Sequence, residues 1–364
     1  QGIICRFKNV DTALKFLQGP HVSGMRERSR ESWCGLLAVT SARGAWDQAS
    51  WPLTDEFSRK YGDVLSPNKV QPLAVITRAS IVPSKTMSFW RYAPAAQADL
   101  KDSKGCLLSM GLGEIPLVRQ CTFSLWKDKS AMRDYAFQGA HQAAITAAQR
   151  AIAQTNPMHP VAVAGCLPPL VSSYHAEDVP SEAACLADYR ALVAAQKDGV
   201  NLFLCETLTT VREVQTAATA GKESGHPVWV GMTVDDQDGT RLRSGESLAD
   251  GVAAAKACGA AAVLINCSWP EAITQGLPIL AASGLPFGGY ANGFTNAASL
   301  AAGSTVAGLA VRRDLNPKAY AEHAMGWVAM GARIVGGCCE VGPAHIQHLG
   351  ECLKAAGYTL SAAP

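Results

Sequence analysis

Residues 201–233, NLFLCETLTTVREVQTAATAGKESGHPVWVGMT, place two short apolar runs on either side of an alanine-containing stretch. The two runs, at 201–206 and 228–233, have the length and composition of strands that are buried on both faces. The stretch between them, 210–225, has the length of a helix and ends in glycine, as helices often do. A buried strand, a helix and a second buried strand predict one unit of a parallel sheet covered by helices.

The same alternation continues on both sides of this segment. Further apolar runs of strand length occur at 161–166, 262–267, 285–290 and 333–337, and helical stretches lie between them. The pattern gives six consecutive strands, with room for two more upstream. A series of this kind predicts an eight-stranded (β/α)8 barrel, or TIM barrel, rather than an open sheet.

The first 130 residues are atypical, because Trp, Arg, Lys and Ser are denser there and the alternation is hard to follow. The segments PLAVITRASIVPSK, at 72–85, and CLLSMGLGEI, at 106–115, are typical of strands. No clear linker rich in Pro and Gly separates this part from the rest. We therefore expect residues 1–364 to form a single (β/α)8 domain.

The composition excludes several classes of protein. With 48% hydrophobic and 17% charged residues among 364, the chain is predicted to be globular and able to bury a large core. Its formal net charge of +2, without a basic stripe, disfavours binding to nucleic acid. It has no apolar run of membrane-spanning length and no visible signal peptide. Most of its twelve cysteines lie among apolar residues, which predicts reduced thiols and a cytoplasmic location.

Candidate chemistry lies where the predicted strands end, since the active sites of parallel barrels are built there. Glu206 ends one strand, Cys267 ends another, and Cys338 and Cys339 follow the last one. Three thiols and a carboxylate are thus expected on one rim. Zinc is tetrahedral, favours sulfur and keeps one position open in catalytic sites, so the three cysteines predict a zinc site.

The glycines before the cysteine pair, Gly336 and Gly337, are expected to let the backbone turn so that both thiols reach one ion. Other interpretations of this segment stay open at the level of the sequence. The adjacent cysteines could form a strained disulfide or be buried core thiols. The Gly-Gly pair could instead form a phosphate-binding turn.

Other polar residues have weaker patterns. Asp235 and Asp236 could form a pair for acid–base chemistry, although DDQDGT is simpler to interpret as a solvated turn. Three histidines could be metal ligands, although exposed positions on a helix are favoured for the last two: His175, His345 and His348.

The segments around the three cysteines resemble the homocysteine S-methyltransferase family. The match lies in VLINCSWPEAI and IVGGCCEVGPAHI and continues in VAGCLPPLVSSY, GVNLFLCETLTT, VWVGMTVDDQDGTRLRSGESL and GGYANGF, over about residues 131–352. The resemblance implies a (β/α)8 barrel in which Cys267, Cys338 and Cys339 bind Zn²⁺. It also implies that Glu206 holds the ammonium of the amino-acid substrate. Asn292, in YANGF, is a further candidate for substrate binding or for a turn.

The resemblance implies transfer of a methyl group to the thiol of homocysteine, giving methionine. Thr207 follows Glu206, which is more similar to the branch that uses S-methylmethionine or S-adenosylmethionine than to the betaine branch, where an aromatic residue is typical. Small molecules are the expected partners, with neither nucleic acid nor membrane. We expect a monomer or a small homo-oligomer.

The sequence departs from the family upstream. The Asp-Gly-Gly segment of the family's first strand is absent, and Ser109 and Met110 stand in its nearest counterpart. The Thr-Thr-Asn motif of the second strand is also absent. Three alternatives therefore stay open: a methyltransferase that uses betaine or another onium donor, a zinc-binding barrel without turnover, and a metal-free enzyme with Cys339 as nucleophile.

Overall fold

The computed structural model describes residues 9–30, 72–80, 100–115, 119–157, 159–300 and 309–361, and a few isolated positions besides. The chain divides into two compact units, Gln1–Ala136 and Phe137–Pro364, each with a sheet of its own. The expectation of a single domain over the whole chain stays a prediction. Within the described residues, no helix combines the length and hydropathy that crossing a membrane requires.

The first unit contains an antiparallel sheet in which β3 is the central strand. The described helices and strands of this unit are α1 (Val10–Leu17), α2 (Pro20–Glu27), β1 (Leu73–Ser80), β2 (Cys106–Ile115) and β3 (Arg119–Trp126). Helix α3 (Lys129–Thr155) lies across the division between the units.

Both strands predicted upstream are present, at β1 and β2, but they are not parallel strands of the barrel. Only residues 116–118 connect β2 to β3. So short a connection permits a hairpin, whereas parallel neighbours need a crossover of about a dozen residues or more. The end of the first predicted strand, 81–85, lies outside the described residues.

The second unit contains six parallel strands that neighbour one another in chain order, from β4 to β9. All six strands predicted for this part are confirmed: β4 (Ala164–Leu167), β5 (Leu202–Leu208), β6 (Val228–Met232), β7 (Ala262–Asn266), β8 (Phe287–Tyr290) and β9 (Ile334–Val335). The helices that follow β4 to β9 are α4 (Glu182–Gln196), α5 (Val211–Glu223), α6 (Leu248–Ala257), α7 (Pro270–Ala281), α8 (Pro317–Ala329) and α9 (Pro343–Ala355). This alternation is the α/β architecture of consecutive units of a (β/α)8 barrel, so the predicted fold class is confirmed.

The core lies between these strands and their helices. All five residues of β7 are buried, as expected for a central strand of such a sheet. Thr210 caps the start of helix α5, since its side chain accepts a hydrogen bond from the backbone of Glu213, and the helix buries Val214 against the sheet. Complete burial of one such side chain contributes about 1.5–3 kcal/mol. Packing of this kind fixes the strand ends from which the candidate site is built.

Candidate metal centre and its surroundings

Three thiols meet beyond the ends of β7 and β9. The sulfur of Cys267 lies 3.0 Å from that of Cys338 and 3.8 Å from that of Cys339, and the last two are 4.0 Å apart. A tetrahedral zinc ion with Zn–S bonds of about 2.3 Å separates its sulfur ligands by about 3.8 Å. The distances from Cys339 to the other two sulfurs match this value, and the closer pair, Cys267 and Cys338, would have to open toward it for one tetrahedral ion to bind all three. Among the described residues, this is the group of three possible ligands that lies close enough to share one ion.

Backbone hydrogen bonds tie the three loops of this cluster together. The N–H of Cys267 donates to the carbonyl of Tyr290 at 3.1 Å, and the N–H of Cys338 donates to the carbonyl of Ala291 at 2.9 Å. The loops after β7, β8 and β9 are thereby held in one arrangement, and residues distant in sequence can serve as a preformed ligand set.

The two glycines before the cysteine pair do not have the role expected from the sequence, which was to let the backbone turn. Neither Gly336 nor Gly337 has a positive φ. A Cβ on Gly337 would overlap Cγ1 of Val341, whereas one on Gly336 would make only an ordinary contact with Tyr290 at 3.6 Å. Glycine is therefore required at 337 for space, so that Val341 can pack beneath the pair.

Backbone strain is concentrated beside this site. Non-glycine residues with φ between 52° and 72° either belong to the site or directly adjoin one of its residues: Tyr174, Thr207, Cys267 and Glu340. Such conformations are costly for residues with a side chain and persist where the surroundings impose them. The backbone at and beside the cluster therefore has conformations that are unfavourable for these residues.

The thiols of the cluster also differ in pKa. Hydrogen bonds from Cys267 and Cys338 lower the pKa of Cys339, while hydrogen bonds to the other two thiols, together with burial, raise the pKa of Cys338. The lowered pKa favours the thiolate form of Cys339 over that of Cys338. Metal ligation requires thiolates, so this arrangement suits a cation with sulfur ligands.

Glu206 lies inside the sheet, on β5, and its carboxylate accepts two hydrogen bonds. Tyr290 donates to one oxygen at 3.0 Å and the thiol of Cys166 donates to the other at 3.2 Å. Burial, and then the charge of Glu206, raise the pKa of Tyr290 well above its usual range, so that its hydroxyl stays a donor. The backbone carbonyl of Tyr290 accepts the hydrogen bond from the N–H of Cys267, so this tyrosine links the carboxylate of Glu206 to the thiol cluster.

The backbone next to Glu206 is fixed by the residue that precedes Cys267. The side chain of Asn266 accepts a hydrogen bond from the N–H of Thr207 at 2.8 Å and donates to its hydroxyl at 2.9 Å. These bonds hold the left-handed conformation of Thr207 and hence the direction of the neighbouring carboxylate.

Asn292 is fully buried, and both ends of its amide are bonded to backbone. It donates to the carbonyl of Cys267 at 2.7 Å and accepts from the N–H of Phe294 at 3.1 Å. Both contacts hold the chain around the cluster.

The remaining candidates lie outside the cluster. Asp235 accepts hydrogen bonds from the backbone of residues 237 and 238, as expected for a turn, and Asp236 pairs with Arg243. Each of the three histidines has a ring nitrogen within hydrogen-bonding distance of protein atoms: His175 of Leu300, His345 of Leu315 and His348 of Cys352. None of them joins a group of possible metal ligands among the described residues.

Sequence reasoning missed four residues that support the site: Tyr174, Arg243, Asn266 and Tyr290. Asn266 and Tyr290 are the last residues of β7 and β8, so the rule that selected Cys267 could have found them. Tyr174 and Arg243 lie in loops, and no sequence pattern predicts that their side chains contact each other.

Comparison with known proteins gives two kinds of relative. Among curated proteins, spheroidene monooxygenase of Rubrivivax gelatinosus is 38% identical over 151 residues, which are 41% of this chain and 55% of that protein. Its counterpart in Cereibacter sphaeroides is 34% identical over 119 residues, which are 32% of this chain and 34% of that protein. The chain thus spans between about a third and just over half of the length of these relatives.

Solved structures similar to the chain include the homocysteine methyltransferase MmuM from Escherichia coli. Its apo form is 26% identical, with a TM-score of 0.47, and the likeness covers 62% of this chain and 74% of that one. Its metallated form is 25% identical, also with a TM-score of 0.47, and covers 62% and 72% respectively.

A family model described as homocysteine S-methyltransferase matches residues 117–353. The matched range is well over half of the chain and includes the three thiols, Glu206 and every strand of the parallel sheet. The chain belongs to the homocysteine S-methyltransferase family.

Proposed function

We propose that the protein transfers a methyl group from a sulfonium donor to the thiol of homocysteine, giving methionine, with zinc held by Cys267, Cys338 and Cys339. The observation that carries the proposal is the meeting of these three thiols within 4.0 Å of one another, close enough to bind one ion. A zinc ion bound there would supply activation of the homocysteine thiol as a thiolate at neutral pH.

The residues of the chain bind and align the substrates. Glu206 would hold the ammonium of homocysteine by a charge-assisted hydrogen bond, with Tyr290 and Cys166 fixing the carboxylate. The sulfur of homocysteine then forms a bond to the methyl carbon, and the bond between that carbon and the donor sulfur breaks. The electron pair stays on the departing neutral thioether, so the methyl-transfer step needs no general base. Alignment is what the protein contributes.

The proposed donor is S-methylmethionine or S-adenosylmethionine. Thr207, which is buried and hydrogen-bonded to Asn266, occupies the position after Glu206. The aromatic residue typical of the betaine branch is therefore missing at that position. Betaine or another onium compound is the alternative, since a quaternary ammonium is commonly recognised by aromatic side chains. Turnover with each donor alone separates these alternatives.

For Asn292, we propose that the side chain fixes the backbone of Cys267 rather than contacting homocysteine, because both ends of its amide are already bonded to backbone. Exchange for alanine would leave the N–H of Phe294 without its partner and would leave the carbonyl of Cys267 with only the hydroxyl of Thr233. Zinc retention, rather than the KM for homocysteine, is the property that this exchange should change.

The experiment that tests the proposal measures zinc per chain by elemental mass spectrometry in the wild type and in Cys267→Ala. We expect about one zinc per chain in the wild type, as one closed ligand set implies, and its loss in the variant. Cys258→Ala, at a cysteine outside the cluster, is the matched control and should keep its zinc. A folded and reduced wild type without zinc would contradict the proposed metal site.

Two rival functions make different predictions. A zinc-binding barrel without turnover would bind the metal but transfer no methyl group from any donor. A metal-free enzyme with Cys339 as nucleophile would be inactivated by alkylation and would be indifferent to chelators.

A second candidate function, suggested by the similarity to the monooxygenases, is oxygenation of spheroidene. The test supplies spheroidene, a reductant and ¹⁸O₂ to the full chain and measures ¹⁸O in the product by mass spectrometry. Cys267→Ala should leave this reaction unchanged. No incorporation by the folded wild type would contradict this second function.

A further inference from the structure

A continuous series of contacts leads from the loop after β6 to the thiol of Cys267. The hydroxyl of Tyr174 lies 2.9 Å from the sulfur of Cys267, and the tyrosine side chain is buried. The guanidinium carbon of Arg243 lies 5.0 Å from the centroid of the Tyr174 ring. A cation over an aromatic face is attracted by the ring, and more strongly when both groups are withdrawn from water.

Arg243 is held firmly in this position. Its side chain is only 6% exposed, and it forms an ion pair of 3.0 Å with Asp236, which is 11% exposed. Its Nε also donates to the hydroxyl of Thr233 at 3.0 Å. A buried charge that has lost its partner is strongly destabilising, so the guanidinium and the carboxylate stay together.

The same ion pair holds the other side of Cys267. The second carboxylate oxygen of Asp236 accepts a hydrogen bond from the N–H of Trp269 at 2.9 Å, two residues after the cysteine. Asp236 and Arg243 therefore fix both the chain that follows the thiol and the ring that contacts the thiol.

We propose that Asp236, Arg243 and Tyr174 are positioning residues for Cys267, and that the tyrosine hydroxyl donates its hydrogen bond to the sulfur in the thiolate form. The proposal rests on the metal site of the proposed function. A thiolate carries no proton, so Tyr174 must be the donor whenever the sulfur is a ligand. The left-handed backbone of Tyr174, with φ of 72°, aims the ring at the sulfur at a cost in local strain.

Such partners influence a metal site without touching the ion. A hydrogen bond to a ligand fixes its direction and its charge, and loss of a partner of this kind typically lowers metal affinity by about 10–100-fold. The network therefore predicts that residues in the loop after β6, distant in sequence from any of the cysteines, control how tightly the cluster holds its ion.

The first experiment measures zinc affinity of the full chain by competition with a chromophoric chelator. Tyr174→Phe and Arg243→Met should each weaken binding by about tenfold or more. The double variant should lose less than the sum of the two single losses, because Arg243 acts in part through Tyr174. Arg241→Met, at an exposed arginine of the same loop, is the control and should bind as the wild type does.

Additive losses in the double variant would overturn the proposal, since they would mean that Arg243 acts independently of the tyrosine. Unchanged affinity in both single variants would overturn it as well.

A second measurement needs no metal and separates this inference from the proposed function. Cys267 is 2% exposed and packs against Tyr174, so the metal-free thiol should react slowly with N-ethylmaleimide. Arg243→Met should raise the rate of alkylation at Cys267 several-fold, read by peptide mass spectrometry, whereas Tyr174→Phe keeps the ring and should raise it less. If Arg243→Met does not fold, Arg243→Lys removes the forked contacts and should give the same increase. An unchanged rate in the folded arginine variant would refute the network even in a protein that binds no zinc.

Discussion

Glu206 lies on β5, two residues before the strand ends, and its two carboxylate oxygens accept hydrogen bonds from Tyr290 and Cys166. We predict that Glu206→Gln raises the KM for homocysteine by about tenfold or more, because a hydrogen bond to a charged group contributes about 1.5–3 kcal/mol. Zinc per chain should stay at the level of the wild type. Initial rates at varied homocysteine and fixed donor, together with elemental analysis, check both statements.

The control for this prediction is Cys166→Ser, which keeps a donor beside Glu206 and should change the KM little. An unchanged KM in Glu206→Gln would remove this carboxylate from the substrate site.

At the level of single residues, the strand ends were the informative positions. Cys267, Cys338 and Cys339 could be selected from the sequence because each follows a predicted strand, and the structure brings their ligand atoms within 4.8 Å of one another. Their roles as ligands stay predictions. Tyr174 could not be selected, since its contact with Cys267 depends on a loop conformation that sequence patterns do not encode.

Two glycines in different elements should respond in opposite ways to alanine. A Cβ on Gly288, in β8, would overlap the carbonyl oxygen of Ile334 in β9, whereas one on the exposed Gly326, in α8, would meet nothing within 4 Å. We predict that Gly288→Ala loses about 1–3 kcal/mol of unfolding free energy and also weakens zinc binding, because β9 leads into the loop that contains the cysteine pair. Gly326→Ala should gain about 0.5–1 kcal/mol.

Urea unfolding of the two variants, followed by far-UV circular dichroism, checks these changes in stability. Equal stability of the two variants would contradict the close approach of β8 to β9.

The strands of the second unit were predictable because continuous apolar runs alternate with helical stretches. The antiparallel pairing of β1 and β2 with β3 was not, because periodicity identifies a strand but names no partner. Strand β3 was not itself predicted, so the short connection at residues 116–118, which favours a hairpin over a parallel crossover, could not be used as a signal.

At the scale of the molecule, zinc should stabilise the unit that holds it. A ligand at 100 times its dissociation constant adds about 2.7 kcal/mol to the free energy of unfolding. We predict slower amide hydrogen exchange after β7 and after β9 when zinc replaces chelator, measured by mass spectrometry. Cys267→Ala should show no such protection, and equal exchange of the wild type in both conditions would argue against a metal in this unit.

The whole fold was predictable only in part, because the chain contains two unlike patterns. The parallel strands follow one repeating pattern, in which an apolar strand alternates with a helix. The first 130 residues lack that pattern, and Ser109 and Met110, in the nearest counterpart of the Asp-Gly-Gly segment, lie on β2 of the antiparallel sheet.

The left-handed backbone at Thr207 also bears on directed evolution for heat tolerance. A β-branched residue at φ of 60° is a costly choice, and two hydrogen bonds, one donated to Asn266 and one accepted from it, hold Thr207 there. A screen for thermal tolerance alone would favour glycine at this position, since glycine relieves the strain. The gain would come at the residue that fixes the direction of Glu206. Selection for heat resistance should therefore favour glycine at position 207, whereas selection for homocysteine binding should favour threonine.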